Sequence, residues 1–144
     1  MGAGKSVVGR ALAARLAVSF VDIDQEIGDV AGLFATGGEP AFRECEYLTL
    51  SRLVCGYGVI ALGGGTLAYA RNRELLRGWR VVVLMGQPNT LADRLGAGDG
   101  RPLVNDWQRL LIERMPSFLV FGDPVHTDGI SVQAVVAAVV ERVS

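Results

Sequence analysis

Net charge is almost absent from this chain. Its 144 residues carry 14 Lys and Arg against 15 Asp and Glu, a formal net charge of −1. That balance supplies no general attraction to nucleic acid or to an anionic membrane. Lysine is nearly missing: Lys5 stands alone among arginines. A GC-rich coding bias explains the arginine excess and makes the one lysine worth attention. Long apolar runs are missing too. The longest, Ala134 to Val140, falls far short of the roughly 18 residues of a membrane span. The N-terminus has no basic stretch followed by an apolar core, so it does not read as a secretory signal. Gly2 and Ser6 meet a myristoylation pattern only loosely. Cysteine is scarce. Cys45 and Cys55 are ten residues apart, about 15 Å along a helix and beyond disulfide reach. Both are expected to be reduced core thiols, which points to the cytoplasm.

What is present is apolar: 50% of the residues are hydrophobic and 20% charged, which excludes a disordered chain. The length fits a single domain, 1–144. Helical and strand patterns alternate. Helices are expected over 5–16, 24–30, 40–54, 71–77, 88–95, 107–115 and 131–143, the last capped by Ser131. Strands are expected over 19–22, 59–62, 80–85 and 124–127. The run from Arg80 to Met85 is almost wholly apolar, as in a strand covered on both faces. Alternation of this kind implies an α/β fold with a parallel sheet.

Chemistry concentrates in four places. Gly2-Ala3-Gly4-Lys5-Ser6 ends as a Walker A phosphate loop ends, with Gly-Lys-Ser opening a helix. Its N–H groups and the helix dipole suit phosphates, Lys5 suits the β and γ phosphates, and the Ser6 hydroxyl suits Mg²⁺. A flexible glycine-rich end is the bland reading. Asp22-Ile23-Asp24 closes a strand, where ligands of open α/β sheets bind. One carboxylate suits a hydrated Mg²⁺ and the other a hydroxyl proton, although Asp24 also reads as a helix N-cap. Gly63-Gly64-Gly65 permits close approach of the backbone to a small molecule or a tight turn with positive φ. Arg43 and Arg101 are candidates for gripping a carboxylate or phosphate. Surface exposure is the usual fate of the remaining arginines.

Together these residues resemble the shikimate kinase family of small P-loop kinases. The likeness spans nearly the whole chain: residues 1–6, Phe20 to Asp24, Phe34 to Arg43, Leu62 to Thr66, Gly100 to Leu103, and His126 to Gly129. The resemblance implies a three-layer P-loop kinase fold that phosphorylates the 3-hydroxyl of shikimate with ATP and Mg²⁺, as a cytoplasmic monomer that binds no nucleic acid and no membrane. It implies an ATP site at Gly2, Ala3, Gly4, Lys5, Ser6 and Val7, with Arg94 near the adenine. Ser6 and Asp22 would hold the metal. Asp24, Arg43, Gly64 and Gly65 would hold shikimate, with Glu46 orienting Arg43. Lys5, Asp24 and Arg101 would be catalytic, Arg101 reaching in from a lid at about 96–107.

Three departures from the family pattern stand out. The family's five-stranded sheet begins with a central strand and a first Walker glycine that have no counterpart here, as if the chain were N-terminally truncated or its start mis-assigned. Val7 replaces a common threonine. The run Pro116-Ser117-Phe118-Leu119 aligns with a Pro-Leu-Tyr-Arg run, so a substrate-binding arginine is expected to be lost at Leu119. One charge-assisted bond is worth about 1.5–3 kcal/mol, so activity is expected to be impaired. A degenerate ligand-binding relative and another small-molecule kinase, such as a gluconate kinase, are the alternatives.

Overall fold

A computed structural model of the chain describes residues 3–87 and 107–144. The expected helix at 88–95, the glycine-rich loop after it and the lid up to Asp106 lie outside the described residues, as do Gly2, Arg94 and Arg101.

Helix α1 (Lys5–Leu16) begins at Gly4, whose left-handed backbone (φ 80°) turns the chain into the helix without a side-chain cap. Strand β1 (Phe20–Asp22) leads directly into the short α2 (Ile23–Ile27). The cap of α2 is Asp22 rather than Asp24: its carboxylate accepts from the Asp24 N–H at 3.1 Å. Helix α3 (Val30–Leu53) starts earlier than the Pro40 expected from the glycine punctuation. Asp29 caps it, and the helix breaks at Gly38 (φ 67°, ψ −168°) before resuming through Pro40. Strand β2 (Val59–Ala61), a 3-10 turn (Thr66–Ala68) and α4 (Ala70–Leu75) follow, then β3 (Val82–Met85). Helix α5 (Trp107–Phe121) runs through Pro116 instead of stopping before it. An interior proline costs about 3 kcal/mol, and the packing of Phe118 and Phe121 against the buried cluster offsets it. Strand β4 (Asp123–His126) and α6 (Val132–Val143) complete the order, with Ser131 capping α6 as expected.

Both strand pairs are parallel, β1 with β2 and β3 with β4. Side chains of β3 alternate between two cores. Val82 and Leu84 join Val8, Val125, Val135, Val136 and Val139 beneath α1 and α6. Val81, Val83 and Met85 join Ile23, Leu50, Leu67 and Leu76 with Phe118 and Phe121. This period of two gives three layers, helices on both faces of the strands. The expected single sheet is not continuous among the described residues. The strands form two two-stranded sheets, and a cavity of about 560 Å³ lies between them, lined by Val59 to Gly64 on one side and Val81 to Gly86 on the other. Among the described residues β2 and β3 are not paired with each other. No described helix is long and apolar enough to cross a membrane. Both cysteines are free as expected, but Cys55 is exposed and Cys45 only half-buried, so neither is a core thiol.

Candidate functional site

The C-terminal ends of β1 and β2 bring the motifs together. At the end of β1, Asp22 Oδ2 accepts a hydrogen bond from the Ser6 hydroxyl while Oδ1 caps α2. The donor set is one hydroxyl and one carboxylate. The described residues hold no cluster of three or more His, Cys, Asp or Glu. Such a set fits an ion that keeps most of its waters and takes its other ligands from phosphates, which is the habit of Mg²⁺. Lys5 and Ala3 line the cavity between the sheets. Val7 is largely exposed on α1.

Beyond β2 the glycine run acts by close approach rather than by turning. None of Gly63, Gly64 and Gly65 has positive φ. A methyl group on Gly63 would lie 2.9 Å from Glu46 Oε1, 3.1 Å from Thr66 Oγ1 and 3.2 Å from Asp24 Oδ1. On Gly65 it would lie 2.5 Å from Arg43 Nη2 and 3.0 Å from Arg114 Nη2. The backbone therefore runs where side chains could not, and Asp24, Glu46, Arg43 and Arg114 converge on it.

Glu46 is the anchor. It is fully buried on α3, accepting from Thr66 Oγ1 at 2.6 Å, from Arg43 Nη1 at 3.0 Å and, at a long 3.4 Å, from Asn72 Nδ2. Asn72 also donates to the Thr66 carbonyl at 3.0 Å, tying the turn after the glycines to α4. Burial opposes the charge on Arg43, but the carboxylates of Glu46 and Glu39 outweigh it and hold the guanidinium above its ordinary pKa. The Phe42 and Tyr69 rings each lie 4.9 Å from it and supply cation–π contacts. Arg114 is in the opposite position. Burial and the adjacent Arg43 charge lower its pKa, and Glu39 and Glu46 only partly compensate.

This corrects the reading of a lost arginine. Leu119 is 54% exposed and stands away from these groups, whereas Arg114, on the same helix, supplies a second guanidinium beside Arg43. The alignment of Pro116 to Leu119 looked on the wrong side of the proline. Arg114, Glu39, Tyr69, Thr66 and Asn72 were not singled out from the sequence. The Glu113-Arg114 pair in the largely apolar Leu110 to Phe121 stretch was the one available signal. Of the anticipated residues, Asp24, Arg43 and Gly65 come together, and Gly64 borders the cavity beside them.

The family model for shikimate kinase matches residues 1–144. The chain belongs to the shikimate kinase family. It is 38% identical to a shikimate kinase of Saccharopolyspora erythraea over 99% of this chain and 89% of that one. It is 41% identical to one of Thermobifida fusca over 81% and 74%. Among solved structures it resembles shikimate kinase from Acinetobacter baumannii in complex with shikimate, with a TM-score of 0.91 and 30% identity over 99% of this chain and 88% of the other. A shikimate kinase from Bacteroides thetaiotaomicron has a TM-score of 0.87 at 29% identity, over 98% and 92%.

Proposed function

We propose that this protein, acting as a single domain in the cytoplasm, transfers the γ-phosphoryl group of ATP to the 3-hydroxyl of shikimate, giving shikimate 3-phosphate and ADP. The observation that carries the reading is the convergence of Asp24, Arg43 and Arg114 on the Gly63–Gly65 backbone, alongside the Gly4-Lys5-Ser6 turn at the start of α1. The paired guanidiniums suit the carboxylate of shikimate, and the glycine backbone suits close packing against its ring. Asp24 orients the 3-hydroxyl and accepts its proton as the oxygen bonds to phosphorus and the bond to the bridging oxygen of ADP breaks. Phosphoryl transfer of this kind asks the protein for positioning and charge neutralisation rather than covalent chemistry. Lys5 neutralises the β and γ phosphates, and Arg101 of the Gly100-Arg101-Pro102-Leu103 motif adds a second cation. By the family resemblance Arg94 would serve the adenine. Ser6 and Asp22 would hold Mg²⁺, which when bound with ATP neutralises further phosphate charge.

A coupled assay of ADP release tests the reading. Release that requires both shikimate and Lys5 supports it. Release indifferent to shikimate, or an unaltered rate in a folded Lys5→Ala variant, refutes it. Binding of both ligands without turnover would make the protein a non-catalytic relative.

A further inference from the structure

Arg43 does not offer its guanidinium freely. Three of its five N–H groups are engaged, and the engagement is uneven. Nη1 donates to the fully buried Glu46, while Nε and Nη2 both donate to one oxygen, Oε1 of Glu39, at 3.3 and 3.2 Å. The Nε–Nη2 edge is a planar fork that a two-oxygen carboxylate fills with two parallel bonds of about 2.7–2.9 Å. Glu39 fills it with a single oxygen at longer range. That same oxygen also accepts from the Tyr69 hydroxyl at 3.2 Å, and its charge is felt by Arg114. The Glu39 side chain is 50% exposed and the Arg43 side chain 8%. Glu39 follows the break at Gly38, so it opens the resumed helix, where a carboxylate is favoured by the helix dipole with or without Arg43.

We propose that Glu39 is an internal competitor, a carboxylate lodged in the Arg43 fork of the ligand-free protein that an incoming carboxylate must displace. This rests on the proposed binding of a shikimate-like acid at Arg43 and Arg114. Glu46 holds the guanidinium in place and is not displaced. Glu39 sets a threshold: a ligand with two well-aligned oxygens replaces it, and a neutral ligand or a single weak acceptor gains nothing from doing so. It thereby lowers the affinity for anionic ring ligands, and with it their margin over uncharged ones, while touching no reacting atom.

Calorimetric titration with shikimate and with shikimate methyl ester, on the wild-type chain, Glu39→Gln and Glu39→Ala, tests the proposal. A half-exposed ion pair is worth up to about 1 kcal/mol, so removing the competitor should tighten shikimate binding by up to about fivefold. Binding of the uncharged ester should stay constant. Thermal melts establish that the variants are folded. Shikimate affinity that is unchanged or weaker in both folded variants overturns the proposal and leaves the site assignment standing. Equal shifts for acid and ester overturn it as well, because they would show a general change of shape. If no variant binds shikimate at all, the substrate assignment fails and the proposal fails with it.

Discussion

Replacing Arg114 by methionine should move activity and stability in opposite directions. The side chain is half-buried, and its guanidinium is destabilised by burial and by Arg43. Through the Gly65 contacts of 2.5 and 3.0 Å, the two Nη2 atoms lie no more than about 5.5 Å apart. At an effective dielectric near 20, Coulomb's law then gives roughly 3 kcal/mol of repulsion. Glu39 and Glu46 attract the same charge, and water screens what is exposed, so about 1 kcal/mol of net relief is expected. Methionine matches the length of the aliphatic stem and keeps the apolar packing. Tm should therefore rise by about 2–4 °C in a chain of this size. The same change removes a charge-assisted bond to the substrate carboxylate, worth about 1.5–3 kcal/mol, so the KM for shikimate should rise ten- to a hundredfold. Differential scanning calorimetry without ligand and steady-state kinetics with varied shikimate read the two effects separately. A clear fall in Tm together with an unchanged KM would show that Arg114 serves the packing of α5 and not the site.

Three further outcomes follow from the same geometry. Gly65→Ala places a methyl group 2.5 Å from Arg43 Nη2; the guanidinium, held by Glu46 and Glu39, has to shift against those bonds, so Tm should fall and the KM for shikimate rise about tenfold. Glu46→Gln leaves Arg43 without its buried counter-charge, and calorimetry should record a loss of about 3 kcal/mol. Leu119→Arg should change neither KM nor Tm, because Leu119 is 54% exposed; a fall in KM would return position 119 to the substrate site.

The site was legible where its chemistry is contiguous in sequence. Gly4-Lys5-Ser6 and Asp22-Ile23-Asp24 each supply their groups from one turn or one strand end, and Arg43 with Glu46 lies within a single helical turn. The fold was legible to the same depth: alternation gave the helices and strands, and the uninterrupted apolar run of β3 forecast helices on both faces. Strand pairing is a different matter. Whether β2 neighbours β3 depends on what lies between them, and neither segment encodes that. The result is two parallel pairs with a cavity between them.

The misreading of Leu119 has a more instructive cause. Leu119 was singled out by matching Pro116 to Leu119 with the family's Pro-Leu-Tyr-Arg run, while the helix was expected to end at Met115. In the structure α5 passes through Pro116 and keeps its helical phase on both sides. Four residues, a little more than one turn, separate Arg114 from Phe118, so both lie on one face. Phe118 packs into the core beneath β3, while Arg114 on that face reaches Gly65. Leu119 is turned about 100° from Phe118 by the helical repeat and meets solvent. Once the helix is known to continue, the half-buried Phe118, packed on the core, fixes its phase and puts Arg114, before the proline, on the same face. The sequence lacked only the tertiary packing of Phe118 and Phe121, which keeps a proline-bearing helix intact.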